Sequence, residues 1–497
     1  MKKYLMALDQ GTTSSRCIIF DDKGRALVSA AKEFTQHFPH EGWVEHDAEE
    51  IWESQLSSAK AAFEKSGLSP ALIAGIGITN QRETAIVWEK ESGKPICPAI
   101  VWQCRRTAAI CEKLVADGYA EMIRAKTGLA IDPYFSATKL QWILDHTEGA
   151  RERAKKGELL FGTVDSFLIY RLTGGRVHAT DPSNAARTML YNIHTMEWDK
   201  DLLSLFDIPA EMLPKVLPSS GVFGETDPTL FGKPIPIAGV AGDQQAALFG
   251  QCCFEAGTVK NTYGTGGFLL MNTGENAISS QNGLLTTVGW QIGDSVAYVL
   301  EGSVFVCGAA IQWLRDGLGL LASAAESEAI ANTVKDTGGV YFVPALTGLG
   351  TPYWDPYARG TIVGLSRGTT RAHLVRATLE AMAWQTVDLL EAMKRDAALP
   401  IPALRVDGGA SANNLLLQLQ SDFSALPILR PACIETTALG AANLAGLAVG
   451  VFKDLDDICR NIAVERTFTP ALSENDRQHR LTDWHRAVER ALKWVID

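Results

Sequence analysis

The sequence predicts an α/β protein made of two similar halves that face each other across a cleft. Three observations carry that expectation. Two hairpin tips rich in glycine and hydroxyl groups, Asp9 to Ser15 and Tyr263-Gly264-Thr265-Gly266-Gly267, recur with Gly11 and Gly264 253 residues apart, close to half of the 497-residue chain. Stretches with strand-like patterning alternate with stretches of helical period. The length suits two large domains, expected as 1–250 and 251–497, rather than one small binding module.

Taken in order, Tyr4 to Leu8 reads as a strand, Asp9 to Ser15 as a polar turn, and Cys17 to Phe20 as the returning strand. Helical patterning covers Ala48 to Lys65, Thr107 to Val115, Thr138 to His146, His373 to Arg395 and Asn414 to Ser424. Ile73 to Thr79, Thr84 to Glu89 and Pro98 to Trp102 read as strands joined by turns. Paired as a meander, they place Arg82, Glu83 and Trp102 along one edge. The second hairpin spans Thr258 to Met271, with Asn272-Thr273-Gly274 as its closing turn. Ala438 to Phe452, full of Ala and Gly, reads as a buried helix packed closely on a neighbour. The alternating charges of Glu148 to Glu158 read as a solvated helix face.

Composition narrows the function. Against 46 Lys+Arg stand 57 Asp+Glu, a net charge of −11, which is the wrong sign for binding nucleic acid or an anionic lipid surface. The nine cysteines form no CxxC pair and no cluster at zinc spacing, and reduced thiols in the cytoplasm fit them best. No signal peptide or membrane span is expected, because Asp9 interrupts the opening and no uncharged apolar run is long enough.

The chain lacks a GxxxxGK(S/T) loop, a GxGxxG turn after a strand, HExxH and GxSxG. Any nucleotide must therefore be held differently. At the first hairpin, Gly11 lets backbone approach a ligand, Thr12, Thr13 and Ser14 offer hydroxyls, and Arg16 adds fixed charge. Asp9 is placed to hold a metal through water. The same residues also suit an ordinary polar turn. Thr265 and Gly266 would form a second cradle, and Val406 to Asn414, a strand running through Gly408-Gly409 into a helix, a third; a tight connection capped by Ser411 explains the latter as well. Asp243 follows a glycine at the end of a strand and the start of a helix, where an acid serves either as a cap or as a base for a hydroxyl. Arg82 and Glu83 beside Trp102 match a small polyol, whose hydroxyls need donors and acceptors and whose carbons need an apolar wall. An ion pair at a sheet edge beside a core Trp is the competing reading.

Together these residues resemble the carbohydrate kinase family, and within it the glycerol kinases. The likeness rests on ALDQGTTSSR at 7–16, GWVEHD at 42–47, GITNQRET at 77–84, AIVWQCRRT at 99–107, AGDQQAALFGQ at 241–251, KNTYGTGGF at 260–268 and PYWDPYARG at 352–360. Two wider family signatures are also present, Tyr134-Phe135-Ser136 leading to Lys139, Trp142 and Asp145, and Gly360, Gly364-Leu365, His373-Leu374, Ala377 and Glu380.

The resemblance implies two ribonuclease-H-like domains of the actin and hexokinase type, flanking a cleft for ATP and substrate. It implies ATP-dependent phosphorylation of glycerol with Mg²⁺, and a homodimer or homotetramer. By position, Asp243 is similar to the general base, and Asp9 and Asp243 to the acids that position Mg²⁺. Arg82, Glu83, Tyr134, Asp243 and Gln244 resemble the glycerol hydrogen-bonding set, with Trp102 and Phe268 as apolar walls. Thr12, Thr13, Ser14 and Arg16 match the first phosphate hairpin, Thr265 and Gly266 the second. Gly308, Gln312, Gly409 and Asn413 match the nucleotide pocket. Some bacterial members carry a regulatory Arg or His where this chain reads Thr229-Leu230-Phe231-Gly232-Lys233-Pro234, with neither. A kinase for a pentulose or larger polyol, and an ATP-driven chaperone on the same core, are the rival readings.

Overall fold

The first hairpin forms where two continuous runs of buried apolar residues, Leu5 to Leu8 and Cys17 to Phe20, flank a glycine-containing tip. In the computed structural model, which describes residues 3–496, β1 (Tyr4–Gln10) and β2 (Ser14–Asp21) pair antiparallel, with Asp9 opposite Arg16 and Gln10 opposite Ser15. The tip therefore narrows to Gly11-Thr12-Thr13, and Asp9, Gln10, Ser14 and Ser15, expected in the turn, lie in strands. Next, β3 (Ala26–Glu33) extends the antiparallel run. Helix α1 (Ala48–Ser66), capped by Asp47, carries the chain across the sheet. It returns as β4 (Ile73–Asn80), parallel to β1. β5 (Ser220–Glu225) and β6 (Pro236–Gly242) follow, with β6 parallel to β4.

The second half repeats this order. β7 (Val259–Tyr263), β8 (Gly267–Gly274), β9 (Leu285–Ile292) and β10 (Ser295–Val304) form its antiparallel part. β11 (Leu404–Asp407) and β12 (Ile428–Pro431) then lie parallel beyond β7, and β13 (Val464–Phe468) closes the edge. All belong to one 13-stranded sheet in the order β13-β12-β11-β7-β8-β10-β9-β5-β6-β4-β1-β2-β3. Each half thus holds the same five-strand unit, three antiparallel strands followed by two parallel ones: β3-β2-β1-β4-β6 and β10-β8-β7-β11-β12. The duplication expected from two hairpin tips is visible in the topology, and the units meet where Ser220 of β5 pairs with Ile292 of β9.

Seven helices position the site, α1 and six more: α2 (Ser136–His146), α3 (Asp243–Gly250), α4 (Gly308–Asp316), α5 (Arg371–Ala397), α6 (Asn414–Ser424) and α7 (Thr436–Ala448). The core of the second half is built on α5 and α6, whose Trp384 and Phe423 rings stack 3.9 Å apart. Helix α7 belongs to the second half in sequence but lies against β1, β4 and β6 of the first and against α3. Glycines make this approach possible: a Cβ added to Gly77 or Gly239 would come within 2.1 Å of Ala441 O or 2.4 Å of Ala445 N. At the crossing of α3 and α7, a Cβ on Gly440 would stand 1.8 Å from Ala246 O, and one on Gly250 2.0 Å from Thr436 O. Gly440→Ala must push the helices apart and is expected to cost about 1–3 kcal/mol. A thermal melt that matches the parent protein would contradict this account of the crossing.

Two expectations need correction. The strands after β4 form no meander with it, because β1 and β6 already occupy both of its edges, although the two later segments do bridge each other antiparallel at Ala85 with Ile100 and Trp88 with Pro95. The chain turns away at Glu83, whose φ is +61°; Ile86–Glu89 pairs with Leu159–Gly162, and Ala99–Ile100 pairs with Glu45–His46. Asn272-Thr273-Gly274 is no closing turn, since β8 continues to Gly274 with a register shift against β10. The buried Ala-Gly helix and the solvated Ala150–Lys155 helix lie where they were expected. Among the described residues no helix is long and apolar enough to cross a membrane.

Candidate active site

Parallel strands end together, and this brings the candidate residues to one edge. Gln10 of β1 and Gly242 of β6 both pair with Asn80 of β4. The residues that follow each strand, Gly11, Gln81-Arg82-Glu83 and Asp243, therefore share the carboxyl edge of the sheet, where open α/β sheets place ligands. The second half repeats the device: Thr262 of β7 pairs with Asp407 of β11, so the Gly264–Gly266 tip and Gly408-Gly409 emerge side by side. A Cβ at Gly408, whose φ is +83°, would lie 2.5 Å from Tyr263 O, which requires glycine there.

Arg82 lies at the centre of the first cluster. Its Nε is 3.1 Å from Asp243 Oδ1 and 3.8 Å from Glu83 Oε1. Nη1 donates to Glu301 Oε2 at 2.5 Å and Gln245 Oε1 at 3.1 Å, and Nη2 to Glu301 Oε1 at 3.0 Å and Tyr134 Oη at 3.4 Å. The long Tyr134 contact is the weakest of these, and so the easiest to exchange for a ligand hydroxyl. Gly242 gives the side chain its room, since a Cβ there would stand 2.7 Å from Arg82 Cγ and Cδ.

A second guanidinium completes a buried network. Arg187 Nε donates to Glu83 Oε1 at 2.6 Å and its Nη2 to Glu301 Oε1 at 3.0 Å. Arg82, Glu83, Arg187 and Glu301 are all buried, and Arg187 Nη1 has no hydrogen-bond partner among the described residues. Burial alone would raise the Glu301 carboxyl, but Arg187 and Arg82 overcome it and hold the group at about 2. Sequence reasoning missed Arg187, Gln245 and Glu301. The available signal was a lone charge inside an apolar stretch, Ala185-Ala186-Arg187 and Val299-Leu300-Glu301, where a charge must find a partner to be buried.

Trp102 joins this cluster, as the sequence predicts, by a different route from a meander. Its N–H is bonded to Thr84 Oγ1 at 3.3 Å, and its ring packs edge-on against Tyr134 at 5.6 Å. Its indole N–H donates to Thr12 Oγ1 at 3.0 Å, which ties the Trp102 ring to the first hairpin. Tyr134 is fixed from α2: Lys139 Nζ donates to the Tyr134 and Phe135 carbonyls, and Ser136 Oγ to Glu83 O at 2.9 Å. The Tyr-Phe-Ser…Lys signature is thus a clamp on the Tyr134 backbone.

Asp243 opens α3 behind the cap Gly242, at the positive end of the helix. Gln244 Nε2 lies 3.3 Å from Asp243 Oδ2, and its Oε1 accepts from Lys260 Nζ at 2.5 Å. Lys260 also donates to Phe268 O at 3.4 Å, so Phe268 borders the same cluster. At the first hairpin, burial pushes the Asp9 carboxyl up to about 7; Arg16 pulls it back, while Glu435 and Asp243 push it further. Arg16 is paired with Glu435 across the two halves. Thr13 is exposed, and Thr12 and Ser14 half-buried.

The second hairpin packs on the start of α4. Gly308 N donates to Gly264 O at 2.9 Å, and Cys307 N to Thr265 O at 2.9 Å. A Cβ on Gly266 would meet Val304 O at 2.7 Å and Phe268 Cε2 at 3.6 Å, so this tip borders the Phe268 wall. Gln312 follows one turn after Gly308 on α4 and is exposed. Nothing lies within 4 Å of a Cβ built on Gly409, which leaves open space above its backbone. Asn413, not Ser411, caps α6; its side-chain oxygen accepts from Leu416 N at 2.9 Å, and its amide donates to Ser327. Among the described residues no group of three or more His, Cys, Asp or Glu is arranged to hold a metal. The carboxylates of Asp9, raised chiefly by burial and further by Glu435 and Asp243, and of Asp243 suit a divalent cation that keeps water and phosphate oxygens as its other ligands.

Comparison with known proteins agrees with this geometry. Residues 4–250 match the FGGY family of carbohydrate kinases, N-terminal domain, and residues 259–449 its C-terminal domain. Glycerol kinase 2 of Thermotoga maritima is 59% identical over 492 residues, covering 99% of each chain. Glycerol kinase of Agathobacter rectalis is 60% identical over 497 residues and covers both chains fully. Among solved structures, Plasmodium falciparum glycerol kinase with ADP superposes with a TM-score of 0.92 at 34% identity, over 98% of each chain.

Proposed function

The chain belongs to the FGGY family of carbohydrate kinases, and from that premise we propose that it phosphorylates glycerol with ATP, making sn-glycerol 3-phosphate. The observation that carries this reading is the meeting of Asp243, Arg82, Glu83 and Tyr134 at strand ends between two hydroxyl-rich hairpins. Acceptor-dependent release of ADP tests it.

The chain's residues divide the work. Arg82, Glu83, Tyr134 and Gln244 supply donors and acceptors to the hydroxyls of glycerol, and Trp102 and Phe268 enclose its carbons. Asp243 accepts the proton of the attacking terminal hydroxyl, whose oxygen forms the new bond to γ-phosphorus as ADP leaves. Thr12, Thr13, Ser14 and Arg16 from one hairpin, and Thr265 and Gly266 from the other, bind phosphate oxygens. Gly308, Gln312, Gly409 and Asn413 receive the nucleoside; the open backbone at Gly409 supports that assignment. Asp9 and Asp243 are the carboxylates for Mg²⁺, which when bound with ATP supplies positive charge to the phosphate oxygens. Closure of 1–250 on 251–497 excludes water from the transfer. The nine free thiols support a reducing, cytoplasmic setting. Exposed Phe305, Tyr357 and Ile496 supply apolar surface for a homodimer or homotetramer.

Trp102 meets Tyr134 and Thr12, and among the described residues its indole is hydrogen-bonded to no charged group of the network. Trp102→Ala is therefore expected to raise the KM for glycerol more than it lowers kcat, the pattern of lost ground-state binding. A fall in kcat at unchanged KM would assign Trp102 to the transition state instead.

A further inference from the structure

Lys260 is a buried cation at the site that the mechanism above leaves without a role. It stands on β7, in the second half of the chain, and is fully buried. An ammonium has three N–H donors, and here all three point to uncharged oxygens: Gln244 Oε1 at 2.5 Å, Thr262 Oγ1 at 2.8 Å and Phe268 O at 3.4 Å. Gln244 lies on α3 of the first half, Phe268 at the start of β8, and Thr262 one residue before Tyr263 at the end of β7. One side chain thus ties a substrate-facing amide, a substrate wall and the root of the second hairpin together across the join between the halves.

The consequence is clearest at Gln244. An amide has an oxygen end and a nitrogen end, and only its partners decide which way it faces. Lys260 claims the oxygen, which leaves the NH₂ turned toward Asp243 Oδ2 at 3.3 Å. Without the ammonium the amide is free to rotate, and a carbonyl facing the carboxylate would present the acceptor hydroxyl with a second acceptor where a donor is needed. We propose that Lys260 is a positioning residue for the acceptor site: it fixes the Gln244 amide with its NH₂ toward the polyol and Asp243, and links that orientation to the second phosphate hairpin through Thr262.

This inference rests on the kinase reading and is tested on the full-length protein with saturating Mg-ATP. Lys260→Met keeps the buried stem and removes the donors. It is expected to raise the glycerol KM about tenfold, the size of one lost charge-assisted hydrogen bond. In a Gln244→Ala background, adding Lys260→Met should change the glycerol KM by less than about twofold, because the residue it acts through is gone. Effects that multiply in the double variant, or a Lys260→Met protein with the parent KM, would overturn the proposal. Should Lys260→Met fail to fold, Gln244→Glu is the second variant. It is isosteric, gives Lys260 a charged partner and lacks the NH₂ donor, so an unchanged melt with a raised glycerol KM is expected, and an unchanged KM overturns the assignment. Absence of glycerol turnover by the parent protein would contradict the glycerol reading rather than this proposal, and the same cycle is then read on whichever polyol is turned over.

Discussion

Asp243→Asn is expected to lower kcat by at least about 10²-fold while leaving the KM for glycerol nearly unchanged, the usual contribution of a positioned general base. The structure gives the reason on both counts. Asp243 opens α3 where β6 ends, and its Oδ1 faces Arg82 Nε at 3.1 Å. Asparagine keeps the shape and an oxygen for that contact, so the pocket for glycerol persists. It loses the capacity to take a proton from the attacking hydroxyl and one charge of the carboxylate pair for Mg²⁺, so the transfer step suffers while the glycerol pocket does not. Steady-state kinetics with varied glycerol separate the two constants. Turnover within a few-fold of the parent enzyme would remove Asp243 from the role of base.

Glu301→Gln is expected to have the largest effect on stability. In the folded chain two guanidiniums, Arg82 and Arg187, converge on this one buried carboxylate, and removing its charge leaves them with Glu83 as their only buried counter-ion. Breaking a buried pair at one partner costs about 3–5 kcal/mol, which should appear as a clear drop in Tm together with a raised KM for glycerol, since Arg82 loses its anchor. The effect carries a pH signature. Glu301 is held at about 2, below its ordinary value of 4.5, so the folded state favours the ionised form. Its contribution is complete above that ordinary value and is lost as pH falls toward about 2. The gap between parent and variant should therefore be widest near neutral pH and shrink in acid. A variant that melts with the parent at pH 7 would contradict the account of this network.

What could be read from the sequence, and what could not, follows from how local each signal is. Asn414–Ser424 begins and ends as the 3.6-residue period predicts, because a helix is written by neighbours along the chain. Both hairpin tips and the place of Asp243 between strand and helix were legible in the same way. The pairing of β4 was not: nothing in Ile73 to Glu89 says that β1 and β6 occupy both its edges. Nor was Glu301 visible, since it meets Arg82 across 219 residues of sequence and from the other half of the sheet. The placement of α7 against the strands of the first half is likewise a property of the assembled sheet, announced only by glycines whose partners the sequence does not name. Local chemistry marked the candidate residues at the strand ends; long-range packing chose the buried charges that hold them in place.

The most direct test of the central claim is ADP release by the purified protein with Mg-ATP, without acceptor and with glycerol, xylulose, ribulose, erythritol or dihydroxyacetone in turn. The account predicts turnover strongly selective for glycerol. Turnover with a larger polyol would keep the fold and the base but reassign Arg82, Glu83 and Trp102, and ATP hydrolysis indifferent to every acceptor would contradict the kinase reading altogether.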